Sequence, residues 1–149
     1  MKIYLGADHR GFALKEKIKE WLDEWDKDYE DLGNDKYDSM DDFPDFAIKV
    51  GEKVSKSKGK GVLLCGSGGM ALAANKFKGV RAVEAWDIER ARHAKADDNA
   101  NVLTIPADIV DTRMAKEMLK VWLKTKVKEE RKYKRRLNKI KNLEKENFK

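Results

Sequence analysis

The chain has one cysteine, two prolines and two histidines in 149 residues. A lone thiol excludes an internal disulfide, and one cysteine with two scattered histidines does not match zinc-ligand spacing, so a reducing compartment and no metal are expected. No apolar run approaches the roughly 18 residues of a membrane span, and the opening MKIYLGADHR lacks the apolar core and cleavage site of an export signal. A soluble, unprocessed, cytoplasmic protein is expected. Hydrophobic residues make up 41% of the chain and include four tryptophans, enough for a core, while 40% charged residues imply a heavily charged surface. The length fits one domain.

The net charge of +6 is unevenly placed. From Lys124 onward there are 12 Lys/Arg against 4 acidic residues, and the rest of the chain holds 21 against 23. All of the basic excess therefore lies in the tail, either as a solvated helix face or as a surface that attracts a phosphate-bearing ligand.

Short apolar runs alternate with amphipathic stretches, the pattern of a parallel sheet covered by helices. KIYLGA, YEDLG, GVLLC, GVRAVEA and NVLTIP are the predicted strands. Between them, Leu14, Ile18, Trp21, Leu22 and Trp25 recur at helical spacing, as do Ala115, Met118, Leu119 and Trp122. Pro44 suits a first helical turn and Asp87 an N-cap. The fold predicted is a Rossmann-like three-layer α/β/α domain with a five-stranded parallel sheet and an extra C-terminal helix. That last helix has a thin apolar stripe, Tyr133, Leu137 and Ile140, so residues 1–123 form the domain proper and 124–149 a basic helix expected to pack on a partner subunit.

The only thiol, Cys65, stands in LLCGSGGMALAANK, after a strand and before three glycines and a helix. Bare N–H groups at Gly66, Gly68 and Gly69, with the positive end of a helix starting near Met70, would hold an oxyanion and favour a thiolate. Three chemistries use such a loop. A cysteine phosphatase needs an arginine six positions after the thiol, where Ala71 stands. A dinucleotide site fits GSGGMA followed by Asp87, but too few strands remain for a second half. Proton transfer beside a sugar carbonyl needs one base and oriented donors for the oxygen that gains charge, and the thiol and loop supply both. The alternative for Cys65 is a small buried hydrophobe, and for Asp8-His9 a turn that closes the first strand.

GADHRGFALKEKIKEWL, DFPDFAIKVGEKV, GVLLCGSGGMALAANKFKGVRA and DNANVLTIPADIV, in that order, resemble the type B ribose-5-phosphate isomerases and the related galactose-6-phosphate isomerase subunits. The resemblance implies an aldose–ketose isomerase without metal or cofactor, acting on a sugar phosphate (ribose 5-phosphate by default) as a homodimer or tetramer with shared sites. No nucleic acid or membrane partner is expected. By the same resemblance Cys65 is the base, Ser67 and the N–H groups of Gly66, Gly68 and Gly69 line the anion hole, Asp8 binds sugar hydroxyls, and His9 sits by the ring oxygen or the phosphate. Arg131, Lys132 and Arg136 bring phosphate-binding cations.

Departures fall on substrate handling. Asp97 and Asp98 stand where the family has His-Asn, and Asp97 would open the sugar ring only with a raised pKa. Asp108 replaces an arginine, and Phe43 a tyrosine. A different sugar, including an unphosphorylated one, or a non-catalytic sugar-binding paralogue or partner subunit of a heteromeric isomerase, are the competing readings.

Overall fold

The apolar runs form five strands, β1 (Ile3–Ala7), β2 (Tyr29–Asp31), β3 (Lys60–Cys65), β4 (Ala82–Glu84) and β5 (Val102–Pro106). The helices are α1 (Phe12–Glu24), α2 (Phe43–Ser55), α3 (Gly69–Ala74), α4 (Ile88–Ala96), α5 (Thr112–Lys124) and α6 (Arg131–Asn147). The computed structural model describes residues 1–148. None of its described helices is long and apolar enough to cross a membrane.

All pairings are parallel, in the order β2-β1-β3-β5-β4. Strand order therefore reverses between β1 and β3. The chain moves one way from β1 to β2 and the other way from β2 through β3 to β4, and right-handed crossovers then send α1 and α4 to one face, α2 and α3 to the other. The core divides accordingly. Ile3, Leu5, Val62, Leu64, Leu103 and Ile105 pack with Ile18, Leu22, Met118 and Trp122 on the first face. Leu63, Cys65 and Val102 pack with Phe46, Val50 and Met70 on the second. Alternate residues of β3 thus serve both layers, as the period of two requires.

Helix limits follow local chemistry. Asp87 accepts the Arg90 N–H at 2.7 Å and caps α4, and Asp111 accepts that of Met114 at 2.8 Å and caps α5. Pro44 lies in the first turn of α2. Before α1, Asp8 Oδ1 accepts the N–H groups of Arg10 and Gly11 at 3.0 and 3.1 Å. Gly11 admits no side chain, because a Cβ there would run into the Leu64 carbonyl. The short strand β2 is held to α1 by charge: the fully buried Lys15 donates to Asp31 at 2.6 Å, and Lys19 joins at 3.0 Å.

The helix expected to start near Met70 is α3, which spans six residues and ends before Asn75, whose side chain exchanges two hydrogen bonds with the main chain of Ala82. Asn75 competes for backbone partners as asparagine does at helix ends. A helix this short has little macrodipole, so its contribution to the glycine loop is the N–H groups themselves.

Candidate functional site

Cys65 ends β3 at the carboxyl edge of the sheet, beside the reversal of strand order. Ala7 pairs with Leu64 and the Asp8 N–H reaches the Leu64 carbonyl at 3.2 Å, so Asp8 and His9 leave β1 next to the thiol. On the other side Cys65 pairs with Pro106, and its carbonyl accepts the Ala107 N–H at 2.7 Å, which brings the loop carrying Asp108 to the same edge. Small-molecule sites in open α/β sheets form at this position.

The thiol is 4% exposed and donates to the Ser67 carbonyl at 2.6 Å. Burial pushes its pKa up; the backbone N–H groups of Ser67 and Met70 pull it down, and the charges of Asp8 and Glu84 push it up again. The sequence pointed to an easily ionised thiol, and the structure corrects this: desolvation outweighs the loop's donors. Gly66 is buried, Gly68 and Gly69 are half-buried, and the Ser67 side chain is exposed. Each glycine makes room for a particular neighbour, since a Cβ would meet the Arg10 guanidinium at Gly66, the Glu84 carboxylate at Gly68 and the Phe43 ring at Gly69.

His9 is fixed from outside its own loop. Asp41 Oδ1 accepts the His9 main-chain N–H at 3.0 Å and lies 2.7 Å from Nδ1, while Asn34 donates to Asp41 Oδ2 at 3.2 Å. Burial disfavours the Asp41 charge, but the His9 and Asn34 bonds outweigh it and lower its pKa. With its Nδ1 side engaged, His9 has Nε2 left for a ligand. Asp8, His9 and Asp41 offer ligand atoms within 4.8 Å of one another, the one group of described residues spaced for a metal. Asp8 Oδ1 and Asp41 Oδ1 are already accepting hydrogen bonds from the chain itself, so the cluster acts as a turn and a histidine clamp.

Asp97 and Asp98 lie elsewhere. They lead into the amino end of β5, where the Gly61 N–H meets the Asn101 carbonyl, and the length of β5 separates them from the edge that carries Cys65 by roughly 15 Å. Asp97 pairs with Lys128 at 2.8 Å and His93 at 2.9 Å, and the Lys128 bond, ahead of burial, lowers its pKa. The raised value that a ring-opening acid needs is absent from this chain taken alone. Arg131, Lys132 and Arg136 are exposed on α6. That helix is tied to the amino edge by Lys128 N–H to the Ala96 carbonyl and by Glu144, which accepts the Gly79 N–H at 2.8 Å. A groove of about 730 Å³ runs beneath it between Ser55, Arg81, Asn99, Leu137 and Lys141, on the edge opposite the thiol.

One chain thus brings together Cys65, Ser67, the three glycines, Asp8 and His9, and leaves Asp97, Asp98 and the tail cations apart. Sequence reasoning missed Arg10, Asn34, Asp41 and Glu84. Arg10 and Glu84 could have been found from position, one beside Asp8-His9 and the other ending a strand. Nothing local marks Asn34 or Asp41.

A doubly wound parallel sheet with a thiol, a glycine loop and an Asp-His pair at its switch point defines an α/β enzyme of small metabolites. The ribose/galactose isomerase family matches residues 3–140, and the chain belongs to this family of aldose–ketose isomerases. The crystal structure of ribose-5-phosphate isomerase B from Mycoplasma genitalium with bound ribulose-5-phosphate superposes with a TM-score of 0.94 at 37% identity, covering 98% of this chain and 97% of that one. Ribose-5-phosphate isomerase B of Clostridium thermocellum gives 0.91 at 33%, covering 98% and 99%. D-erythrulose-4-phosphate isomerase 2 of Mycolicibacterium smegmatis is 35% identical over 127 residues, 83% of this chain and 84% of its own.

Proposed function

We propose that the protein interconverts ribose 5-phosphate and ribulose 5-phosphate, with Cys65 as the base. The Cys65 thiolate takes the C2 proton of the open-chain aldose, the electron pair forms the C1–C2 enediolate, and the sulfur returns the proton to C1 while a hydroxyl proton passes from O2 to O1. Main-chain N–H groups of the loop from Gly66 to Met70, with Ser67, hold the oxygen that gains charge. Asp8 binds sugar hydroxyls, and His9 meets the ring oxygen or the phosphate. The single observation that carries this reading is the seat of the only thiol at the switch point, against the glycine loop and beside the Asp8-His9 turn.

The working unit is a homodimer in which α6 of each chain crosses to the other, bringing Arg131, Lys132 and Arg136 to the partner's site and Asp97 and Asp98 to its rim. Two observations support it. No residue of the 17-residue α6 is buried by its own chain. Tyr37, Met40, Leu72, Trp86 and Ile109 are exposed apolar side chains in the loops at the carboxyl edge or on the short helix that follows the glycine loop, an arrangement suited to cover by a second subunit.

The M. smegmatis relative names a four-carbon substrate, so the test is an isomerase assay on ribose 5-phosphate with D-erythrulose 4-phosphate beside it, using wild type and Cys65→Ala. Turnover of ribose 5-phosphate by the wild type and a loss of about 10²–10⁴-fold in the variant are expected. Preference for the tetrose phosphate moves the substrate assignment; full activity in Cys65→Ala ends the base assignment.

A further inference from the structure

The carboxyl edge is acidic. Asp8, Asp41, Glu84 and Asp108 surround the thiol and its loop, and the tail cations of the same chain lie at the opposite edge. A phosphate ester entering here meets repulsion unless a cation is already in place. One is. The Arg10 side chain leaves the β1–α1 turn, covers the bare Cα of Gly66 next to the thiol, and pairs through Nη2 with Oδ2 of Asp108. The guanidinium fills the space a side chain at position 66 would take, so the first glycine of the loop admits the arginine.

Both partners remain about half exposed, 48% for Arg10 and 45% for Asp108. Asp108 engages one nitrogen, and among the described residues no other carboxylate pairs with Arg10. A guanidinium has five N–H donors in a planar fork, and one carboxylate oxygen on Nη2 leaves the remaining donors for an anion. The Arg10 main-chain N–H is meanwhile held by Asp8, so the arginine starts from a fixed turn.

We infer that Arg10 is this chain's own ligand for the phosphate group of the substrate, and that Asp108 is a positioning residue that holds the fork over the glycine loop. The inference rests on the sugar-phosphate isomerase reading above and adds the residue that selects the phosphate. It places a cation on the same chain as the base, independent of any the partner supplies.

The experiment compares wild type, Arg10→Gln, Arg10→Lys, Asp108→Asn and the Arg10→Gln/Asp108→Asn double variant, each checked for an unchanged thermal midpoint, on ribose 5-phosphate with inorganic phosphate as inhibitor. Arg10→Gln is expected to raise KM and the phosphate inhibition constant together by about 10- to 100-fold, with kcat within about threefold, and Arg10→Lys to fall between. Asp108→Asn should alter KM in the wild type and have no further effect in the Arg10→Gln background. Unchanged KM and phosphate inhibition in Arg10→Gln overturn the phosphate assignment, and an undiminished Asp108→Asn effect in that background overturns the positioning role. If the wild type turns over no sugar phosphate, the isomerase reading has failed, and calorimetric titration of wild type and Arg10→Gln with inorganic phosphate still decides Arg10: binding lost in the variant supports it, while equal or absent binding overturns it.

Discussion

Lys95 on α4 should be a source of instability at neutral pH. Its side chain is 6% exposed, its Nζ lies 3.4 Å from the Trp122 carbonyl and 5.2 Å over the Trp122 ring, and Lys60 Nζ stands 5.5 Å over the same ring. No carboxylate among the described residues pairs with either amine. Burial, with the neighbouring Lys60 adding to it, lowers the Lys95 pKa from 10.5 to about 7. An amine whose folded-state pKa lies below its unfolded value gives full stability above the unfolded value, near 10.5, and loses it progressively as pH falls towards 7. Below about 7 the deficit is constant. Over that window the linkage amounts to about 4 kcal/mol. Lys95→Met keeps most of the stem and removes the charge, so the variant should be more stable than wild type at pH 7 by about 2–4 kcal/mol and nearly equal to it at pH 10.5. Urea unfolding of both proteins at intervals from pH 6 to 10.5 measures this, and the difference between them cancels other titrating groups. A difference that does not shrink as pH rises would refute the reasoning.

Three other outcomes follow from single contacts. Asp31→Asn leaves the fully buried Lys15 without its principal anion and should cost about 3–5 kcal/mol by urea unfolding; because the Lys15 and Lys19 bonds hold the Asp31 pKa below 3.8 despite burial, the wild-type contribution is present above 3.8 and disappears as pH falls through the lowered value. Gly11→Ala drives a methyl into the Leu64 carbonyl and should lower stability by about 1–3 kcal/mol or more, whereas an unchanged thermal midpoint would contradict the close approach of α1 to β3. Since burial raises the Cys65 pKa above its ordinary 9.0, kcat/KM for ribose 5-phosphate should climb with pH through the neutral range and level only on the alkaline side; a plateau already at pH 7 would place the active thiolate in a different electrostatic setting.

The strands and helices were legible because each carries its own period. Leu14, Ile18, Trp21 and Leu22 mark one face of α1, and the apolar run of β3 alternates between two layers. Caps at Asp87 and Asp111 are local signals too. The glycine loop and its thiol were visible for the same reason: their chemistry lies in consecutive residues. The thiol's ionisation was misjudged because desolvation is set by packing on all sides, which neighbours in sequence do not report.

What the sequence determined by itself, then, is the layered parallel sheet, the loop that follows β3 and the resemblance to sugar-phosphate isomerases. Tertiary structure decided which charges meet. Asp41 clamps His9 from 32 positions away, Arg10 finds Asp108 across 98, and Asp97, the candidate ring-opening acid, stands at the far edge of its own chain against Lys128. Periodicity and turn chemistry act over a few residues, whereas an ion pair depends on distance in space, and only the strand order β2-β1-β3-β5-β4 sets which loops share an edge.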